Sequence, residues 1–486
     1  PPLVALLHTA HRDVQAHAAN ALAELCREHT KNQTAMAAAR AIEPLIALLQ
    51  LRPSPQERDV ADRKKNQTIS LAKEMSAGAI WCLSDRHFNN QSAVADASGI
   101  QPLVDLLGVG SDEAQVQAAG ALASLALNHE GNELVVSGKM MELLEMSGKP
   151  GAALKPGTAE KCARAIARLA DAHVSHQNAL AHAGGIERLV TMIDHDSHCK
   201  KPPRKVLDSD ANSKATSIAA ARVGSSDSDA STSEIDSLPE LLEEEADTSS
   251  FRSPAAQKEI AGALWSMALN NAENMQATAA AGGIPKLIAL LTSDSVVHRN
   301  AAGALWSLAD DRENASLIAV QNGIGPLVAL ITKGGGRAQD TAAGALHSLA
   351  ALEANRVAIA EAGGLEPLVG IFDSGSDVAI KQAAVTQAAG ALSTLIKDNP
   401  DNQNDVSSFL VSMLQNGSTE AQEHVTSLLQ DLTTDPEMRG PIAKHGGIPQ
   451  LVRQLKEASF ATQAQAAKAL AEIALKSAML RVQVTQ

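Results

Sequence analysis

One short apolar phrase recurs along the whole chain, and this repetition constrains the fold more than any other feature of the sequence. The phrase reads GGIPKLIALL from Gly282, GIGPLVALI from Gly323 and GGIPQLVRQL from Gly446. One leucine in each copy serves as an anchor, and the ten anchors are Leu3, Leu45, Leu103, Leu143, Leu189, Leu287, Leu327, Leu368, Leu410 and Leu451. Seven of the nine gaps between anchors span 40 to 46 residues, and the other two span 58 and 98. A period of about 40 residues predicts stacked copies of one unit, because each unit buries its apolar face against the next.

The unit from Asn314 to Ala350 contains three stretches with the apolar spacing of a helix. Asn314 is placed to cap the first helix, Gly325 and Pro326 open the second, and DTAAGALHSLA forms the third. Asparagine recurs at the place of Asn314, as Asn32, Asn90, Asn132, Asn178, Asn274, Asn355 and Asn402. The sequence therefore predicts an all-α solenoid of about ten three-helix repeats.

Two insertions interrupt the repeats without disturbing their register. Residues 51–67 are rich in proline and charge, which predicts a surface loop. Residues 194–254 contain the basic run KKPPRK and then become rich in serine and acids, with nine acids and no base from Asp227 to Asp247. Such a segment has little to bury and is predicted to be disordered. The repeats are therefore expected in residues 1–193 and 255–486, with the larger insertion inside one repeat.

Composition and motifs exclude several classes of function. The formal net charge of −14 disfavours binding to nucleic acid or to an anionic membrane. The four cysteines lie far apart, which is typical of a reducing compartment and argues against a disulfide framework. His195, His198 and Cys199 are too few to hold a structural zinc ion. No catalytic signature such as G-x-S-x-G or H-E-x-x-H occurs, and no apolar run is long enough to span a bilayer. We therefore expect a protein with no enzymatic activity, no cofactor, no metal and no membrane insertion.

The helical wheel of one third helix predicts which side chains face outwards. At about 100° per residue, Ala302, Leu305 and Leu308 form the buried stripe, whereas Ser307 points away and Trp306 lies on the flank. All three tryptophans of the chain occupy this flanking place in their units. Either each indole fills space against the neighbouring helix, or the rings form a shelf for a partner's side chains. The predicted binding residues are Trp81, Cys82, Ser124, Trp265, Ser266, Trp306, Ser307, Asp310, His347, Ser348 and Thr394.

The phrases GGI-x-P-L-V-x-L-L and A-A-G-A-L-W-S-L, repeated in register, resemble those of armadillo-repeat proteins, including β-catenin-like and plant or protist members. The resemblance implies a right-handed superhelix whose third helices line a concave groove for an extended or helical segment of another protein. In nuclear import adapters of this family the place of Ser307 is typically asparagine. No asparagine stands there in any unit of this chain, so that peptide clamp does not carry over.

Taken together, these features favour a non-catalytic scaffold or adaptor that binds a partner segment in the groove. Acidic residues outnumber basic ones near the groove, which favours a basic segment, unless these charges are simply solvated helix ends. The resemblance leaves two alternatives open: the substrate-recruiting arm of a ubiquitin ligase, marked by a U-box before residue 1, and docking to the cytoskeleton or a vacuolar membrane. The expected location is the cytoplasm, with the nucleus as a second compartment.

Overall fold

The computed structural model describes residues 1–52, 60–147, 158–193, 253–373 and 378–475, which all belong to one compact unit. These residues form α-helices joined by short turns, with a single 3₁₀ turn at Ile371–Asp373 and no strand. The helices are numbered here α1 to α27 in chain order. They make up ten successive units, which confirms the predicted all-α solenoid.

The helices fall into three classes by their place in the unit. The first helices are α3 (Thr30–Ala38), α6 (Phe88–Asp96), α11 (Val174–His182), α14 (Ala272–Ala280), α17 (Arg312–Val320), α20 (Glu353–Glu361) and α25 (Pro436–Lys444). The second helices are α1 (Pro2–Leu6), α4 (Ile42–Leu49), α7 (Ile100–Val109), α12 (Gly185–Met192), α15 (Gly283–Leu290), α18 (Ile324–Lys333), α21 (Leu365–Gly370) and α26 (Gly447–Glu457). The third helices are α2 (Arg12–Cys26), α5 (Val60–Ser84), α8 (Asp112–Ala126), α10 (Thr158–Ala172), α13 (Pro254–Ala268), α16 (Ser295–Ala309), α19 (Gly336–Leu349), α22 (Val378–Leu395), α24 (Thr419–Leu432) and α27 (Phe460–Ala474). Consecutive third helices pack against each other along the stack.

The first unit consists of α1 and α2 alone, and in two further units the first and second helices are fused into α9 (Glu130–Ser147) and α23 (Pro400–Asn416). Elsewhere one residue with left-handed backbone ends the first helix, as Arg40, Ser98, Gly184, Gly282, Asn322, Gly363 or Gly446. The connection is shorter in the fused units, because Asn132 and Asn402 precede the anchor leucines Leu143 and Leu410 by 11 and 8 residues, whereas Asn314 precedes Leu327 by 13. Too few residues remain for the turn, so the first helix continues into the second.

The prediction of a loop over residues 51–67 is wrong for its second part. Helix α5 begins at Val60, so residues 60–67 are helical. This stretch contains no glycine or proline, and its arginine and lysines are good helix formers, so it can extend the third helix towards its N-terminus. Residues 53–59 lie outside the described residues, as do residues 194–252 of the insertion predicted at 194–254. The prediction is wrong for residues 253 and 254, which cap and begin the next helix. Helix α13 begins at Pro254, with Ser253 as its cap.

A continuous apolar cluster runs from Val4 to Ile473 and joins the described units. Ala302, Leu305 and Leu308, the predicted buried stripe of the third helix, are fully buried. The anchor leucines of the second helices lie in the same cluster, for example Leu287 and Leu327 with no exposed surface. The periodic apolar pattern thus found the core correctly, because the same positions meet the neighbouring unit in every repeat.

The recurring asparagine does not cap the first helix, contrary to the prediction. Asp311 is the cap of α17, and its carboxylate accepts the N–H of Asn314 at 2.9 Å. Asn314 itself is buried, and its side-chain amide donates to the carbonyl of Met275 in the preceding unit at 3.3 Å. Asn355 likewise donates to the carbonyls of Ala315 and Leu349. The asparagine therefore joins one unit to the next, because its amide satisfies carbonyls that would otherwise be buried without a partner.

In the fifth unit the prediction of Asn178 at the position of this asparagine is wrong. His176, and not Asn178, occupies it, since the ring Nδ1 of the fully buried His176 lies 3.0 Å from the carbonyl of Leu169. Asn178 is only half-buried and accepts instead from the side-chain amide of Asn271 at 2.8 Å.

Candidate functional site

The flanking aromatic residues of the third helices pack on glycines of the following unit. An ideal Cβ built on Gly303 of α16 would lie 2.5 Å from the ring of Trp265 in α13. The same construction on Gly344 of α19 would meet the ring of Trp306 at 2.6 Å. Trp81 on Gly120 and His347 on Gly390 repeat the arrangement at 2.6 and 2.5 Å. Each ring thus occupies the space that a side chain would fill on the next third helix.

This packing shows that the indoles do fill space against the neighbouring third helix, which was one of the two alternatives left open by the sequence. All four rings are half-buried, so each contributes to the junction between units and also keeps some exposed surface. The guanidinium of Arg299, one helical turn before Gly303, lies 5.6 Å from the ring centroid of Trp265. We call the surface formed by Trp81, Trp265, Trp306, His347 and the exposed side chains beside them on the third helices the third-helix face.

The residues at the Ser307 position are more deeply buried than the helical wheel predicted. Ser307 is 4%, Ser124 5% and Cys82 9% exposed, so these three contribute little or nothing to an accessible surface. The helical wheel predicted that these side chains point away from the core of their own unit. The neighbouring third helices cover that face of the helix. Ser266, Ser348 and Thr394 keep intermediate exposure. The predicted binding residues are therefore corrected at Cys82, Ser124 and Ser307.

One polar contact on the third-helix face links two units. The hydroxyl of Ser348 donates to the carboxylate of the exposed Asp310 at 2.8 Å. Beyond them, the hydroxyl of Thr394 donates to the carbonyl of Gly390 in its own helix. Burial raises the pKa of the Asp340 carboxyl, while the nearby Arg299 lowers it. Some polar groups of the third-helix face are thus hydrogen-bonded across the junction between two units.

A cavity of about 320 Å³ opens where α2, α5 and α8 meet. Its lining comprises Asn20, Ala23, Glu24, Arg27, Glu28, Glu74, Met75, Gly78, Trp81, Cys82, Asp85 and Gln117. Gly78 lies three residues before Trp81, as Gly303 lies three residues before Trp306 and Gly344 three residues before His347. The preceding helix α2 has only Ala23 at the position where α5, α13 and α16 have a tryptophan, so no ring covers Gly78. We call this space the Gly78 cavity.

The rim of the Gly78 cavity is acidic. Glu24 is paired with Arg27, whose Nε and terminal amino group donate to its two carboxylate oxygens at 3.2 and 2.8 Å. This hydrogen bond and the charge of Arg27 lower the pKa of Glu24. Among the described residues, no basic side chain forms an ion pair with Glu28, Glu74 or Asp85. The cavity therefore faces three carboxyl groups that form no ion pair, beside the Glu24–Arg27 pair.

Glu74 is the most constrained of these acids. Burial raises its pKa, against the effect of a hydrogen bond from the Ser111 hydroxyl at 3.3 Å, and the neighbouring Glu113 raises it further. Loss of hydration disfavours the charged form of a carboxyl group, and a second carboxylate nearby adds repulsion. A cation in the cavity would relieve both effects.

The three cysteines in the described part of the chain show no sign of a reactive or metal-binding site. Cys26, Cys82 and Cys162 are free and buried. Burial raises the pKa of Cys26 to about 11 and that of Cys162 to about 12, so both are neutral thiols near pH 7. Within the described ranges, no group of three or more histidine, cysteine or acidic side chains is placed to hold a metal ion.

None of the described helices is by itself long and apolar enough to cross a bilayer, and only the bent pair of α17 and α18, which meet at 82°, reaches that length and composition jointly.

Comparison with known proteins gives a family and a fold. The model of the armadillo/β-catenin-like repeat matches residues 88–127, 271–310 and 435–475, and these three matches coincide with whole units of the structure. No curated protein sequence matches the chain. The crystal structure of an engineered protein is similar over 97% of this chain and 98% of its own, with 24% identity and a TM-score of 0.54. A second engineered protein covers 68% of this chain and 96% of its own, with 23% identity and a TM-score of 0.40.

Proposed function

We propose, from the premise that this chain is an armadillo-repeat protein, that it is a non-catalytic scaffold and binds an extended segment of another protein along its third-helix face. Repeats of this kind form solenoids for protein interaction. The observation that favours this face is the Gly78 cavity, since it is concave and combines an indole with carboxyl groups that form no ion pair.

The side chains of the third-helix face also indicate which kind of partner segment would bind there. Half-buried tryptophans offer large, rigid contact area, which is typical of the residues that contribute most to binding. The carboxyl groups of Glu28, Glu74 and Asp85 favour a segment of positive charge in the first three units. Three free thiols support a reducing compartment, and we place the interaction in the cytoplasm.

A capture experiment with matched variants tests this proposal. The double variant Trp265→Ala/Trp306→Ala removes two rings of the third-helix face. The control Val320→Ala/Val357→Ala removes apolar groups that are exposed on the first helices, at 73% and 44%. We expect the control to retain the partners of the unaltered chain and the tryptophan variant to lose them, while circular dichroism shows both variants folded. Retention of every partner by a folded tryptophan variant contradicts the proposal.

Because these tryptophans also pack between units, a second variant separates binding from folding. Asp310 is exposed, and its replacement by lysine reverses a charge without removing buried area. Asp310→Lys is expected to weaken capture of the same partners and to change the melting temperature little. Loss of capture only in variants that melt early would show that the rings act in stability alone.

A further inference from the structure

Several junctions between units use the same two amides at successive positions of the first helix. The recurring asparagine donates to a carbonyl of the preceding unit, as the amide of Asn132 donates to the carbonyl of Gln91 at 3.3 Å. The residue after the asparagine is often a glutamine, and Gln91 in turn donates to the carbonyl of Ser124 on a third helix at 2.8 Å. Gln33 and Gln177 donate to third-helix carbonyls in the same way. These side-chain amides do not titrate, so the hydrogen bonds that they donate do not depend on pH.

The junction between the fourth and fifth units has a titratable side chain at both positions. Glu133 directly follows Asn132, where a glutamine stands in the unit before, and His176 takes the place of the asparagine in the unit after. Nε2 of His176 in α11 lies 3.9 Å from Oε1 of Glu133 in α9. His176 is fully buried and Glu133 is 9% exposed. The two exchanged residues therefore meet each other inside one junction.

The hydrogen bond on the other side of the imidazole shows which ring nitrogen carries a proton. Nδ1 of His176 lies 3.0 Å from the carbonyl of Leu169, and a carbonyl only accepts, so Nδ1 is the donor. In a neutral ring Nε2 then has only a lone pair, and it faces a carboxylate oxygen that also only accepts. Neither Nε2 of His176 nor Oε1 of Glu133 has a hydrogen-bond partner among the described residues. Two buried acceptors without a donor are unfavourable, and one added proton would satisfy both.

We propose that His176 and Glu133 form a proton-binding site between the fourth and fifth units, and that one shared proton tightens this junction. With the proton on Nε2 the pair is an imidazolium and a carboxylate. With the proton on Oε1 it is a carboxylic acid that donates to a neutral ring. Both forms contain a hydrogen bond between the same two atoms, so the pair titrates as one unit. A movement of about 1 Å between α9 and α11 brings these atoms to hydrogen-bonding distance.

The other charged side chains on the helices packed against α11 are exposed or paired with one another. The ring of His173, 6.3 Å from that of His176 between centroids, is exposed. The buried thiol of Cys162 in α10 donates to the carbonyl of Met140. The exposed groups are Glu130 of α9, Arg168 and Asp171 of α10, His182 of α11, Glu187 of α12 and Glu273 of α14. The ion pairs are Lys139–Glu142, Arg188–Glu145, Arg164–Glu160, Lys161–Asp112 and Lys258–Glu259. The shared proton therefore belongs to His176 and Glu133 alone.

A shared proton gives the junction a defined pH dependence. In the unfolded chain a glutamate takes up its proton below about pH 4.3 and a histidine releases its proton above about pH 6.5. Above about pH 6.5 the two unfolded side chains hold no proton and the folded pair holds one, so folding takes up a proton. The stabilisation is therefore fully present below that pH and is lost as the pH rises. Below about pH 4.3 a second proton breaks the pair, and the stabilisation is lost on that side as well.

A variant that restores the two amides tests the proposal. His176→Asn/Glu133→Gln gives this junction the residue types found at Asn132 and Gln91. The unfolding constant of the unaltered chain, divided by that of this variant, should rise about tenfold from about pH 6.5 to about pH 8, as uptake of one proton implies. Titration elsewhere, such as that of Glu74, occurs in both proteins and cancels in the ratio. A ratio that stays constant over this range would overturn the proposal.

The matched control is His182→Asn/Glu130→Gln, which makes the same two exchanges at exposed positions of α11 and α9. This control should follow the unaltered chain at every pH, because it leaves the buried pair intact. If the control loses the pH dependence as the first variant does, the effect comes from charge on these helices in general and the shared proton is wrong.

The ring ¹⁵N resonances of histidine give a second measurement that needs no comparison of stabilities. The full chain is labelled with ¹⁵N-histidine, and the resonances of His176 are identified by their change in Glu133→Gln. We expect the His176 ring to keep one protonation state from about pH 5.5 to about pH 7.5, whereas the exposed His182 titrates in this range. Titration of His176 together with His182 would contradict the shared proton. Because α9 and α11 are not third helices, either result leaves the proposed partner surface untouched.

Discussion

The indole of Trp306 occupies the space in which a side chain on Gly344 would begin, since an ideal Cβ there would lie 2.6 Å from the ring carbons. The two residues belong to consecutive third helices, α16 and α19, so the contact joins two units. The ring is half-buried, which means that one aromatic side chain serves both the junction and the exposed third-helix face. The proposed binding face is therefore also part of the packing between units.

The first prediction concerns this contact. Gly344→Ala should lower the free energy of unfolding by about 1–3 kcal/mol, because the added methyl group overpacks the junction although alanine is the better helix former. Chemical denaturation measures the change. In the background Trp306→Ala the same substitution should cost nothing or stabilise, so the double-mutant cycle should show coupling. Additive effects of the two substitutions would contradict the contact.

The second prediction concerns the buried asparagine that joins units. Asn355→Ala should destabilise the protein by about 1–3 kcal/mol, because the carbonyls of Ala315 and Leu349 lose their donor in a buried place. Glu361→Ala, at an exposed position of the same helix α20, is the control and should change stability by less than about 0.5 kcal/mol. Equal melting temperatures for the two variants would show that water satisfies these carbonyls.

The third prediction concerns a histidine cap. The ring Nδ1 of His87 accepts the N–H of Asn90 at 3.3 Å, and its Nε2 lies 3.0 Å from the hydroxyl of Thr34 in the preceding unit. His87→Ala should cost about 1 kcal/mol, as loss of an N-cap does. His87→Asn should recover most of this loss, because Asn271 and Asn399 cap the equivalent helices later in the chain. Thermal melts compare the two; failure of asparagine to rescue would assign the effect to the Thr34 contact.

The fourth prediction is a pH dependence at Glu74. Burial raises the pKa of this carboxyl in the folded state, so the folded protein binds its proton more tightly than the unfolded chain does. The contribution to stability is therefore fully present below the unfolded pKa of about 4.3 and is lost as pH rises through the higher folded value. Glu74→Gln should thus stabilise the protein near pH 7 and have little effect near pH 4. An equal gain at both values would show that charge is not the cause.

Particular residues show why the sequence predicted the fold well and the site only in part. The anchor leucines and the Ala302, Leu305 and Leu308 stripe recur with the period of the units, so their burial follows from spacing alone. The fused helices were also foreseeable in principle, since the anchor leucines Leu143 and Leu410 follow Asn132 and Asn402 by 11 and 8 residues, whereas Leu327 follows Asn314 by 13. A comparison of this spacing in every unit would have found them.

The contacts between units could not be predicted from the sequence of a single unit. Asn314 has the local preference of a cap, but a tertiary bond to Met275 determines its role. The burial of Ser307 and the packing of rings on glycines depend on which faces of consecutive third helices meet. A usable signal did exist, because a glycine stands three residues before each tryptophan, and Ala23 interrupts the pattern just before Gly78.

The central claim is that partners bind the third-helix face, and charge reversal on two faces tests it most directly. One variant carries Glu24→Lys, Asp85→Lys and Asp310→Lys on third helices or their ends. Its charge-matched control carries Glu43→Lys, Glu187→Lys and Glu366→Lys, all exposed on second helices. Partners captured from native lysate by the unaltered chain are quantified for both folded variants. The account predicts that the control retains these partners and the third-helix variant loses them; retention by the third-helix variant with loss by the control would contradict it.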